Sequence, residues 1–189
     1  VSDELLTAEQ FVASRHELAD GGRWTELIAG QPVLLSPPTV EHGNAVLNLS
    51  KALADYSQKG QGGYACFDLG FAIARNPDTL KFPAACFFAT GPMFAESDKI
   101  LTETRPTVII EVASSNDRRR GLDERIGDWL NWGVTLVWLL DPHARQVHVF
   151  EKGRAGQVVG EHESLSGGSS LFGFATNVGS MFKEPGWWK

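Results

Sequence analysis

Four carboxylates placed at the ends of strand-like runs, Glu26, Asp68, Asp78 and Glu111, carry most of the chemical potential of this sequence. Oxygen donors grouped in this way suit hard divalent cations such as Mg2+ or Mn2+, which prefer carboxylates and keep several waters. Glu111 is the most telling of the four. It sits near the end of Thr107-Val108-Ile109-Ile110-Glu111-Val112-Ala113, a β-branched run of the kind buried on both faces of a sheet. An unpaired carboxylate there would cost several kcal/mol or take up a proton, so Glu111 requires a metal ion or a basic side chain beside it. A purely structural ion pair is the plain alternative.

Other catalytic templates are absent. The sequence contains no G-x-x-x-x-G-K-S/T phosphate loop, no G-x-G-x-x-G after a strand, no H-E-x-x-H and no G-x-S-x-G elbow. The histidines are scattered, with His143 and His148 on a turn and an outer strand where solvated roles are expected. Cys66 and Cys86 match no zinc spacing and cannot build a disulfide scaffold, so they read as free, buried thiols in a reducing compartment. A net charge of −6 argues against an undirected polyanion binder while allowing a nuclease whose acidity is partly its own metal site. Neither a signal-like opening nor an apolar run near the ~18 residues of a membrane span is present, so no membrane association and a cytoplasmic location are expected.

The elements that must position these acids follow from capping and periodicity. Thr7-Ala8-Glu9-Gln10 is a capping box that starts a short helix. Trp24 to Ile28 and Val33 to Leu35 read as a hairpin around Ala29-Gly30. Thr39 then opens a long helix in which Val46, Leu49, Leu53 and Tyr56 form a core-facing stripe, ended by the glycines from Gly60 to Gly63. Tyr64 to Phe67, Leu69 to Ala74 and Ala84 to Ala89 are strand-like, with Asn76-Pro77-Asp78 as the turn between the last two. After a looser, charged region comes the Glu111 strand. Ser114 to Asp117 offer caps for a helix running to Trp132, with Leu122, Ile126, Trp129 and Leu130 on one face, and the apolar strand Val134 to Leu140 follows. Strand, amphipathic helix and apolar strand make a βαβ unit with a parallel pair. Trp129, Trp132 and Trp138 are expected in the core. An outer strand, Gln146 to Glu151, and a small helix near Asn177 to Phe182 complete a single α/β domain over 1–189 built on a mixed β-sheet flanked by helices.

Read in order, several segments resemble one family. Trp24-Thr25-Glu26-Leu27-Ile28-Ala29-Gly30 is similar to its "YELIDG" hairpin, and Ser36-Pro37-Pro38 with His42 to its "SPP…H" helix start. Asp78-Thr79-Leu80-Lys81-Phe82-Pro83-Ala84 resembles its "D-x-V-R-x-P-D" strand, and Glu111-Val112-Ala113-Ser114 its "EV-x-S". Gly133-Val134 through Trp138 to Asp141-Pro142 matches "GV…W…DP". The chain thus resembles the Uma family of putative restriction endonucleases, within the PD-(D/E)XK nuclease-like superfamily. The resemblance implies a restriction-endonuclease-like core, DNA as substrate and a Mg2+ or Mn2+ site. Its ligands would be Glu26, Glu111 and an Asp after the Pro of the middle strand, with a Lys nearby. Carried over, the Asp position holds Ala84 and the Lys position Arg125, so two of the functional positions have changed.

The resemblance implies Glu26 and Glu111 as metal ligands in a weakened site, and Arg125 as a phosphate or transition-state clamp. Arginine grips phosphate but cannot serve as a titrating base. His42, Arg118 and Arg119 are candidate substrate contacts. The plainer readings are a solvent-facing acid for Glu26, a buried hydrogen-bonded histidine for His42 and a solvated run for Arg118-Arg119-Arg120, whose charge opposes a helix start. Asp78 most simply makes its turn, and Asp68 is a minor candidate to replace the missing ligand. The expected function is a metal-dependent DNA nuclease of weak or absent activity. The alternatives are a non-catalytic relative binding nucleic acid or protein, and a structural oligomerisation module. Trp187 and Trp188 suit either a homodimer contact or a loose tail.

Overall fold

Every residue of strand β8 (Val108–Val112) is buried, and its alternation sets the layering of the molecule. Val108, Ile110 and Val112 pack with Leu49 and Leu53 of helix α2 (Val40–Tyr56). Ile109 and Ala113 point the other way, into a cluster with Ile126 and Trp129 of helix α3 (Leu122–Trp132). The sheet around β8 therefore lies between two helices, and the carboxylate of Glu111 is carried on the α3 side. The computed structural model describes residues 5–113 and 121–186.

The sheet containing β8 has six strands. In order they are β11 (Gln157–Val159), β10 (Gln146–Glu151), β9 (Leu136–Asp141), β8, β6 (Ala85–Phe88) and β3 (Tyr64–Cys66). β8 and β9 run parallel, from Val108 opposite Leu136 to Val112 opposite Leu140, with α3 between them in the chain. The expected βαβ unit is present. The expected cap residues Ser114 to Asp117 lie outside the described residues, and α3 starts at Leu122 after Gly121, whose φ is +69°.

A second mixed sheet supplies the other half of the site. Its order is β2 (Gln31–Leu34), β1 (Thr25–Ile28), β5 (Thr79–Lys81), β4 (Gly70–Ala74) and β7 (Leu101–Thr102). The β1–β2 hairpin turns on Ala29 and Gly30, both at positive φ, so β2 begins two residues earlier than the hydrophobic pattern suggests. A side chain at Gly30 would lie 2.7 Å from Cβ of Leu5, so only glycine fits. β5 falls within the segment Asp78 to Ala84 that resembles a family strand, whereas β7 occupies a stretch read as loose connection. Each is too short for a period-two pattern to show, and each exists through pairing with β4.

Helix α1 (Ala8–Ser14) carries the expected capping box: the Thr7 hydroxyl accepts from the Gln10 amide and the Gln10 side chain accepts from the Thr7 amide. A hairpin of β12 (Ser164–Gly167) and β13 (Leu171–Asn177), followed by helix α4 (Val178–Met181), adds Phe174, Val178 and Met181 to the core on the α2 side. Trp129 and Trp138 are fully buried, as expected. Trp132 is only half-buried, because it lies at the end of α3, where the guanidinium of Arg105 sits 5.5 Å from its ring centre. Among the described residues, no helix is long and apolar enough to cross a membrane.

Candidate functional site

The site is built where the two sheets and α3 converge. Glu26 comes from the middle of β1 and Glu111 from β8, and both are buried although they belong to different sheets. α3 passes over them with Arg125 and Trp129 on one face, since residues four apart on a helix point the same way. The two glutamates meet through a single cation. Arg125 Nη1 donates to Glu26 Oε2 at 2.6 Å and Nη2 to Glu26 Oε1 at 2.8 Å, while Nε donates to Glu111 Oε1 at 2.7 Å. Further bonds hold the cluster. Nη2 reaches the Phe82 carbonyl at 3.1 Å, the Phe82 amide donates to Glu26 Oε1 at 2.7 Å, and the Trp129 indole N–H donates to Glu111 Oε1 at 2.7 Å.

Burial decides the electrostatics here. Removal from water pushes the Glu111 carboxyl up; Arg125 pulls it back and the negative charge of Glu26 adds to the rise. Burial would lower Arg125, yet the charges of Glu111 and Glu26 outweigh it and hold the guanidinium above its ordinary value. Arg125 is therefore a permanent buried cation facing two carboxylates, which leaves the cluster one negative charge in excess when both are ionised. Such a fork-to-carboxylate arrangement is geometrically specific, and a lysine would not reproduce it.

Beside it lies a second, neutral pair. Lys81 of β5 and Asp128 of α3 form an ion pair in which the lysine is buried. Extending the pairing of Leu27 with Leu80 by one residue puts Lys81 opposite Glu26, and Asp128 is three residues on from Arg125 along the same helix. Both groups line a cleft of about 750 Å³ with Glu26, Glu111 and Arg125. Arg105 stands exposed at its rim, its Nε bonded to the Trp132 carbonyl at 2.7 Å. Lys81 and Asp128 were not singled out from the sequence. Their signals were the lysine in the motif-like segment ending at Ala84 and the i, i+3 spacing to Arg125, both too common to select alone.

The other candidates fall elsewhere. His42 and Ala84 line a separate groove of about 660 Å³ on the α2 side, which shares Glu26 with the first cleft. Asp68 lines the same groove, but its mostly exposed side chain pairs with Arg15 at 3.4 Å and not with the Glu26–Arg125–Glu111 cluster. Asp78 accepts from the Asn76 amide within its turn, as expected, and also from the Ala8 amide at the start of α1. Arg118, Arg119, Trp187 and Trp188 lie outside the described residues. Among the described residues, no group of three or more His, Cys, Asp or Glu side chains is arranged to hold a metal ion.

The family model for Uma2, described as "putative restriction endonuclease", matches residues 8–179. No curated protein matches the chain. Among solved structures it is similar to the crystal structure of a "putative nuclease belonging to DUF820" from Anabaena variabilis. The TM-score is 0.75 at 16% identity, over 94% of this chain and 97% of that one, a likeness of fold.

Proposed function

The chain belongs to the Uma2 family of putative restriction endonucleases, and from that premise we propose that it keeps the nuclease fold and a DNA-facing cleft while metal-dependent hydrolysis is weak or lost. The observation that carries this reading is the Arg125 guanidinium donating to both glutamates. In metal-assisted phosphodiester hydrolysis, the ion acidifies the attacking water and neutralises charge that develops on the phosphate. The side chains present do not fit such an ion. Both Glu26 oxygens and Oε1 of Glu111 already accept hydrogen bonds, the cation among them is covalently part of the chain, and the family Asp is Ala84. Ala84 immediately precedes β6, whose Ala85 pairs with Ile110 beside Glu111, and it lines the groove that shares Glu26 with the cleft.

Contact with a nucleic-acid backbone is a separate matter from turnover. Arg105 offers a guanidinium at the mouth of the cleft, and in sequence Arg118 and Arg119 lead into Gly121, which lines it. Phosphate binding by such groups requires no metal. The test is cleavage of supercoiled plasmid in Mn2+ by the parent protein and by the double variant Ala84→Asp, Arg125→Lys. The parent is expected to leave the plasmid intact and the double variant to nick it, with Glu111→Ala removing the gain. Cleavage by the parent as fast as that by the double variant, and abolished by Glu111→Ala, would overturn the reading. DNA retention at low salt should fall as salt rises, with a shallower slope for Arg105→Ala. A chain that retains no DNA even at low salt would overturn the DNA-facing part of the reading and favour a structural oligomerisation module.

A further inference from the structure

Cys66 and Cys86 are the only cysteines of the chain, and they face each other directly in the antiparallel pair β3–β6. Directly opposed residues of antiparallel strands have Cα atoms about 4.5–5.5 Å apart, within the ~4.4–6.8 Å that a disulfide spans. Both side chains point to the α3 side of the sheet, among Tyr64 and Phe88. The Cys86 thiol donates to the Cys66 carbonyl at 3.7 Å, and Cys66 Sγ lies 3.9 Å from the Ser97 hydroxyl.

We propose that this pair is a peroxide-reactive dithiol, in which Cys66 is the attacking sulfur and Cys86 the resolving one, closing into a cross-strand disulfide. The two environments differ in the required sense. The neighbouring Cys86 thiol brings Cys66 down to about 7, whereas burial pushes Cys86 up, so Cys66 holds the thiolate at neutral pH. Cys66 is 6% exposed and Cys86 1%, which restricts the oxidant to a molecule as small as hydrogen peroxide. The cover over Cys66 is a string of turns: Ala95 bonds back to Pro92 and Ser97 to Phe94, with the Phe94 ring 5.3 Å from that of Tyr64.

In the first step the Cys66 thiolate attacks one peroxide oxygen, the O–O bond breaks, and the departing hydroxide takes up a proton to leave as water. Cys66 becomes a sulfenic acid. The Cys86 sulfur then attacks the Cys66 sulfur, giving up its proton as the hydroxyl leaves as a second water. Two thiols and one peroxide thus become one disulfide and two waters. β3 is the edge strand of the six-stranded sheet, so the bond would pin that edge to β6. Neither sulfur touches the Glu26–Arg125–Glu111 cluster, and the inference stands or falls independently of the nuclease reading.

The experiment treats the native full chain with hydrogen peroxide and maps thiols and cross-links by mass spectrometry without reductant. Both thiols should disappear together into one intrachain Cys66–Cys86 cross-link that a thiol reductant reverses. In Cys86→Ala, dimedone should trap a sulfenic acid at Cys66. The pH midpoint for alkylation of Cys66, near 7 in the parent, should rise in that variant. Thiols that survive in the native protein and oxidise only after unfolding would overturn the proposal, as would oxidation of each cysteine without a cross-link.

Discussion

Arg125 holds two carboxylates and Arg75 three, in settings that differ mainly in access to water. Arg125 binds Glu26 and Glu111 between two sheets, with its side chain 16% exposed and those of the acids 3% and 7%. Arg75 binds Glu9, Asp78 and Glu103 at 2.9, 2.7 and 2.6 Å, yet Glu9 and Glu103 are mostly exposed. The Arg75 cluster is a strap, joining α1, the β4–β5 turn and the segment after β7. Water can replace most of what it does. The Arg125 cluster has no such substitute, and both acids depend on Arg125 for their counter-charge. Burial, more than the number of carboxylates, sets what each arginine is worth.

Substitutions sharpen that contrast, beginning with the one of largest effect. Arg125→Ala should destabilise the fold by about 3–5 kcal/mol in urea unfolding, because it leaves two buried acids without a cation. A loss under ~1 kcal/mol would mean that water reaches the cluster freely. Asp78→Asn should cost about 2 kcal/mol, since a charged acceptor is lost from the Ala8 amide and from Arg75. The Ala8 amide first, then Arg75, holds the Asp78 carboxyl below its ordinary value despite the opposing effect of burial. That stability is present above pH 3.8 and is lost as pH falls through the folded value, so the gap between parent and Asp78→Asn should narrow in acid.

Arg75→Ala should cost only about 1 kcal/mol, and less as salt is raised, as expected of an ion-pair network at the surface. The subtlest effect is a sign. Glu111 is raised by burial, so its contribution is fully present below pH 4.5 and is lost as pH rises through its folded value. Unfolding of parent and Glu111→Gln across pH should therefore show the balance moving toward the variant as pH rises, the reverse of the trend at Asp78. A parent that gains on the variant with rising pH would place Glu111 in the same class as Asp78.

How far these features could be read from sequence depends on the range of the interactions behind them. The β-branched run around Glu111 demanded a basic or metallic partner, and the helix that follows carries it at Arg125. The capping box at Thr7, the β1–β2 hairpin and the parallel pair around α3 rest on contacts close in sequence, and each was legible. That Glu26 would approach Glu111 came only from resemblance, because the two strands belong to different sheets and no local pattern ties them together. Trp129 reads equally well as an apolar stripe residue, and its indole donor acquires a role only once Glu111 lies beneath it. β7 escaped because two residues cannot display a period and its pairing with β4 is a tertiary event, whereas β5, also too short for a period, was legible only through the resemblance. Asp68 looked available as a ligand, but Arg15 lies within ion-pair reach of it.

The central claim is that Arg125 supplies the counter-charge of Glu26 and Glu111, leaving no place there for a divalent ion. Calorimetric titration of the parent protein with Mn2+, alongside Glu111→Gln and the Ala84→Asp, Arg125→Lys double variant, tests it most directly. The expected result is no saturable heat in the parent that Glu111→Gln removes, and a saturable site in the double variant. Saturable Mn2+ binding by the parent that disappears in Glu111→Gln would contradict the account.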